Sequence, residues 1–207
     1  MITLKSAREI EAMDKAGDFL ASIHIGLRSL IKPGLDMWEV EEYVRRRCKE
    51  ENFLPLQIGV DGAMMDYPYA TCCSLNDEVA HAFPRHYILK DGDLLKVDMV
   101  LGGPIAKSDL NVSKLNFNNV EQMKKYTQSY SGGLADSCWA YAVGTPSEEV
   151  KNLMDVTKEA MYKGIEQAVV GNRIGDIGAA IQEYAESRGY GVVRDLVGHG
   201  VGPTMHE

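Results

Sequence analysis

Two aspartates stand where the surrounding residues predict β-strands. Asp98 lies in Leu94-Leu95-Lys96-Val97-Asp98-Met99-Val100, and Asp136 in Leu134-Ala135-Asp136-Ser137-Cys138-Trp139-Ala140-Tyr141. Alternation along a strand turns Asp98 to the face opposite Val97 and Met99. A carboxylate in an apolar strand is costly unless it is paired or bound to a cation. Taken singly, either aspartate could equally be a strand-end residue bonded to backbone. The histidines sharpen the pattern. His81 follows Ser74-Leu75-Asn76-Asp77-Glu78-Val79-Ala80, His199 sits between Gly198 and Gly200, and His206 immediately precedes Glu207. Flanking glycines relieve crowding and allow close backbone approach, which suits a ligand. Of the other two histidines, His24 falls inside a helical pattern and His86 in a polar loop, and both read as structural or solvent-facing. Two strand aspartates with a glycine-flanked histidine suit oxygen-rich ligation of divalent metals. Two such ions about 3.5–4 Å apart can share carboxylates and activate a water. Nearby histidines that are not ligands can hold substrate and move protons.

The elements that must position these residues are legible as periodicities. Ser6-Ala7-Arg8-Glu9 has the form of a capping box. Behind it Ile10, Met13, Gly17, Leu20, Ile23, Leu27 and Leu30 make one helix face that ends at Pro33-Gly34. A second helix is expected from Asp36, with Met37, Val40, Val44 and Cys48 inward. A third is expected from Thr145-Pro146-Ser147-Glu148, with Thr145 as cap and Pro146 first in the helix, carrying Val150, Met154, Met161 and Ile165. A fourth carries Ile174, Ile177, Ile181 and Ala185 and stops at Gly189. Strands are expected at Ala70 to Leu75, Leu94 to Val100, Leu134 to Val143 and Tyr190 to Val197. The two halves echo each other at an offset of 137: Gly34 with Gly171, Met37 with Ile174, Val44 with Ile181, Phe53 with Tyr190. That spacing points to an internal duplication. Residues 102 to 132 fit neither half. They are polar, hold one short helix around Val120, Met123 and Tyr126, and read as a surface insertion between neighbouring strands.

Composition narrows the class. The 207 residues are 45% hydrophobic and 25% charged, ordinary for a globular protein, and the net charge of −8 opposes nonspecific binding to nucleic acid. Arg45-Arg46-Arg47 is followed by Glu50 and Glu51, as on a solvated helix face. No stretch has the length of a signal peptide or a membrane span, so a cytoplasmic location is expected. Cys48, Cys72, Cys73 and Cys138 lack paired metal spacing and are expected to be reduced, buried thiols.

These motifs together resemble bacterial type I methionine aminopeptidases. Ser74 through Pro84 resembles their segment with an asparagine and a histidine at fixed spacing, and Leu94–Asp98 their first metal-ligand strand. Asp136-Ser137 followed by Tyr141-Ala142-Val143-Gly144 resembles the second such strand. Val193-Arg194 through Gly202, then Met205-His206-Glu207, resembles the segment that carries the ligand histidine. The resemblance implies an α+β pita-bread fold: a curved antiparallel sheet with pseudo-twofold halves and two helix pairs on one side. It implies one catalytic domain over residues 1–207, with a first half at 1–101, the insertion at 102–132 and the start of a second half at 133–207. By the same resemblance Asp98, Asp136 and His199 ligate metal, His81 meets the scissile amide nitrogen or the intermediate, and His206 meets the scissile carbonyl oxygen. Tyr67, Cys72 and Met205 then line the methionine pocket. Two divalent ions are implied, cobalt, manganese, iron or similar, together with a peptide or nascent chain beginning with methionine as substrate and a monomeric enzyme. The ribosome or a nascent-chain factor is the candidate partner for the insertion.

Three departures qualify the match. Asp109 has the usual family spacing from Asp98, but only Asp136 has the strand context, so Asp136 is taken as the ligand. Met205 replaces the usual phenylalanine. Two further glutamate ligands expected downstream do not occur by Glu207. The fold is therefore expected to be incomplete at that end, and the 207-residue chain to bind metal weakly and be inactive. The alternative is a non-catalytic binding protein of the same fold.

Overall fold

The computed structural model describes residues 4–202 and 204–207. It divides into two compact units, one running to Gly144 and resuming at His199, the other spanning Thr145–Gly198.

The first unit opens with α1 (Ala7–Leu30). The capping box forms: the Ser6 hydroxyl accepts from the Glu9 amide at 3.3 Å, and the Glu9 carboxylate accepts from the Ser6 amide at 2.7 Å. Its inner face buries Ala16, Phe19, Leu20, Ile23, His24 and Leu27. Helix α2 (Trp38–Glu51) starts two residues later than expected. Asp36 is occupied in a turn instead, its carboxylate accepting from the amides of Trp38 at 3.1 Å and Tyr87 at 3.2 Å. The helix ends at Asn52, which adopts a left-handed conformation with φ 61°. Glu41 on α2 is fully buried and ties the helix to the approach to the sheet, accepting from the Ala70 amide at 2.8 Å and the Thr71 hydroxyl at 2.6 Å.

The sheet has four antiparallel strands: β1 (Leu54–Pro55), β2 (Cys72–Leu75), β3 (Leu94–Gly102) and β4 (Leu134–Ala142). Both β1 and β2 pair with β3, which also pairs with β4. Register puts Cys72, Asp98 and Cys138 in one row and Val100 opposite Asp136. Asp98 and Asp136 are therefore diagonal neighbours on one face. Val97, Met99, Ser137 and Trp139 take the other, against which α1 packs. The two-residue β1 is too short to be announced by alternation.

The second unit holds α4 (Glu148–Glu166) and α5 (Ile174–Glu186). Ser147, not Thr145, caps α4, its hydroxyl accepting from the Val150 amide at 3.2 Å, so Pro146 precedes the cap. The two helices close at Gly164, where an added methyl would lie 2.7 Å from the Ile181 side chain. Met161, Ile165 and Ile174, expected to face inward, are exposed. Tyr190 to Val197, expected as a strand, has no ladder: among the described residues no strand pairs with it, and the segment is irregular, with a bend at 194–196.

The segment between β3 and β4 corrects the expectation of a surface lobe. It contains a 3₁₀ turn at Val112–Lys114 and α3 (Val120–Gln128). Val112, Leu115, Phe117 and Met123 all join the main core. Asn52 at the end of α2 fastens the segment, its amide nitrogen donating to the carbonyls of Ile105 at 2.5 Å and Leu110 at 2.9 Å. Its amide oxygen accepts from the Val112 amide at 2.8 Å. Removing one large buried side chain costs about 2–5 kcal/mol, and a domain is stable by only about 5–15 kcal/mol. Deleting residues 104 to 131 removes four such side chains at once. The expected outcome is loss of the folded protein, read as loss of a cooperative thermal transition, whereas a folded, cooperative deletion variant would restore the lobe reading.

Candidate metal centre

Strands β3 and β4 place Asp98 and Asp136 on one face because both follow the period of two in apolar runs. Asp98 is half-buried, and burial raises its pKa to about 6, reinforced by the negative charge of Asp136 and opposed by His81 and His199. Burial also raises Asp136, opposed by His199 and His206. Asp109, the rival by spacing, lies in an exposed turn outside any strand.

Residues 199–207 bring the other groups to the same face. His199 Nε2 lies 3.4 Å from Asp136 Oδ2. His199 Nδ1 is 2.9 Å from the Gly200 carbonyl. A carbonyl can only accept, so Nδ1 carries a proton, and in the neutral ring the Nε2 lone pair points at a carboxylate. Two electron-rich atoms so placed call for a proton or a cation between them. The His206 ring packs edge-on against His199 with centroids 4.4 Å apart. His81 holds a left-handed backbone with φ 59° and is near enough to bias Asp98 electrostatically. Among the described residues no three ligand side chains converge closely enough to enclose an ion. In kind, though, two carboxylates and one imidazole nitrogen fit a divalent cation.

The apolar residues beside this face fall into two groups. Tyr67 and Cys72 adjoin one another, with Cys72 in the row of Asp98. The Tyr67 hydroxyl donates to the Thr71 carbonyl at 2.9 Å, and its ring meets Phe83 edge-on at 5.2 Å. Burial pushes the Cys72 thiol up to about 12, so it stays a neutral sulfur surface. Met205 and His206 line a cavity of about 300 Å³ together with Leu56, Val60, Thr127 and Leu134. Thr127 belongs to α3, so the inserted segment borders the site. Lys124 of α3 pairs with Asp61 and, at 2.9 Å, with Asp66, clasping the loop that leads to Tyr67. Gly59, with φ +89°, permits this approach: an added Cβ would lie 2.6 Å from the Lys124 Cα.

Sequence reasoning missed Gln57, whose amide donates to Cys72 Sγ at 3.4 Å, although a polar residue inside Leu54-Pro55-Leu56-Gln57-Ile58 was a usable signal. The cysteine reading needs one correction. All four are free and three are buried, but Cys138, on β4 opposite Asp98, is exposed.

The profile of metallopeptidase family M24 matches residues 11–104 and 125–207. This chain belongs to that family. The family signature thus spans both strand aspartates and every histidine of the site, and skips residues 105–124. Among its M24 relatives, the methionine aminopeptidase of Clostridium acetobutylicum is 38% identical over all of this chain, which spans 71% of that protein. A solved methionine aminopeptidase from Streptococci is 98% identical, with a TM-score of 0.91, over all of this chain and 72% of its own. That from Thermotoga maritima is 35% identical with a TM-score of 0.81, over all of this chain and 71% of its own. The fold is accordingly the α+β pita-bread fold, and family membership implies divalent metal.

The raised Asp98 pKa has a thermodynamic consequence in metal-free protein. A carboxyl whose folded pKa lies above its unfolded value favours the folded state below the unfolded pKa and loses that contribution as pH rises through the folded value. The window here runs from the model-peptide value of 3.8 to about 6. In chelator-treated protein Asp98→Asn should therefore raise the thermal midpoint at pH 7, with the advantage vanishing near pH 4. An unchanged or lower midpoint at pH 7 would show that the carboxylate is compensated in a way this geometry does not contain.

Proposed function

We propose that this chain carries the catalytic machinery of a methionine aminopeptidase that removes the N-terminal methionine from peptides and nascent proteins in the cytoplasm. The observation that carries the reading is the meeting of Asp98, Asp136, His199 and His206 on one sheet face, beside a recess walled by Met205. Among the described residues no helix is long and apolar enough to cross a membrane.

Asp98, Asp136 and His199 Nε2 would hold the metal, two ions of cobalt, manganese, iron or similar. When bound, such ions polarise a carbonyl and bring the pKa of a water towards neutrality. The remaining roles belong to side chains. In this reading His206 would donate a hydrogen bond to the scissile carbonyl oxygen, and His81 would hold and protonate the departing amide nitrogen. Tyr67, Cys72 and Met205 offer aromatic edge and sulfur surface to a thioether, whose polarisable sulfur packs well against both.

The full-length protein should release methionine from Met-Ala-Ser at least a hundred times faster than leucine from Leu-Ala-Ser, and comparable release of leucine or proline would refute the assignment. Asp136→Ala should abolish metal binding and turnover, while Asp109→Ala keeps most of both; the reverse pattern would move the ligand to Asp109.

A further inference from the structure

His24 is the one histidine of α1, fully buried on the side of β4 away from the two aspartates. Both ring nitrogens bond to β4. The Tyr141 hydroxyl oxygen lies 3.2 Å from the His24 carbonyl and 2.7 Å from His24 Nδ1. Nε2 lies 3.0 Å from Ser137 Oγ and 3.4 Å from the Ser137 carbonyl, which accepts from the ring when Nε2 carries the proton. The ring also stacks on Trp139, with centroids 4.7 Å apart and planes within 5°. Burial lowers the His24 pKa to about 4, so the ring stays neutral and this arrangement persists at neutral pH.

Three alternate residues of β4, Ser137, Trp139 and Tyr141, are thus gripped by one imidazole. Ser137 directly follows Asp136. Consecutive strand residues point to opposite faces through one rigid pleat, so fixing the direction of Ser137 fixes that of Asp136.

We propose that His24 is a positioning residue for the metal centre, orienting Asp136 through its hydrogen bond to Ser137. This rests on the proposed function above. Groups that orient metal ligands typically change metal affinity about 10–100-fold when removed. A purely space-filling histidine would not discriminate among replacements of similar bulk.

The test is Co(II) binding to the full-length protein, read by titration calorimetry and by the visible absorption band of the bound ion. His24→Gln can return an amide group to the Nε2 position and hydrogen-bond Ser137, and is expected to bind within about threefold of wild type. His24→Asn restores only the Nδ1 position, and His24→Leu restores neither; both are expected to lose about tenfold and to change the Co(II) band. Ser137→Ala removes the same bond without opening the core, so it keeps the test valid if a His24 variant fails to fold. It should show the same loss, with no further loss when combined with His24→Asn. Wild-type affinity in Ser137→Ala, or equal affinities in the Gln, Asn and Leu variants, would overturn the proposal. Failure of the wild-type protein itself to bind Co(II) would instead overturn the functional reading beneath it.

Discussion

Asp98 and Asp136 sit as diagonal neighbours on adjacent strands, where burial resists the ionisation of both and the charge of Asp136 adds to the resistance at Asp98. The structure around them either holds that costly pair in place or brings compensating groups to it. β3 supplies the rigid centre, paired along both edges. The loop after Gly198 brings an imidazole whose bare nitrogen faces Asp136. On the far side of the sheet a neutral histidine from α1 holds β4 by three of its side chains. An unliganded carboxylate pair of this kind works against folding, and proteins retain such pairs where function requires the charge.

Fold and site differ in how far they extend beyond the strands. Helix α2 and the inserted segment share a core, and Asn52 links them with three hydrogen bonds to backbone. The insertion reaches the site indirectly. Its helix clasps the loop before Tyr67 through Lys124 and contributes Thr127 to the wall of the cavity that holds Met205 and His206. Thr127 in that wall lies just inside the second stretch matched by the family profile, and Lys124 in the stretch it leaves unmatched.

The strands bearing Asp98 and Asp136 were legible because their apolar runs alternate around a lone carboxylate, and α1 because Ser6 and Glu9 cap it locally. These are short-range signals. What escaped depended on distant partners. His24 looked bland because the residues that give it meaning, Ser137 and Tyr141, lie more than a hundred positions away. The inserted segment looked like surface because its four core residues are spread thinly among asparagines and lysines. Tyr190 to Val197 looked like a strand because its apolar content is right, but a strand exists only where a neighbour completes its ladder. The start of α4 was misplaced by two residues because Thr145 and Ser147 are both competent caps, and only backbone geometry chooses between them.

The central claim is that Asp98, Asp136 and His199 together form a divalent-cation site. Anomalous diffraction from crystals of the full-length protein grown with Co(II), recorded above and below the cobalt edge, tests it most directly. The account predicts an anomalous peak ~2.0–2.2 Å from carboxylate oxygens of both aspartates and from His199 Nε2, distances typical of such ligands. A fully occupied peak elsewhere, with Asp98 and Asp136 free of metal, would contradict it.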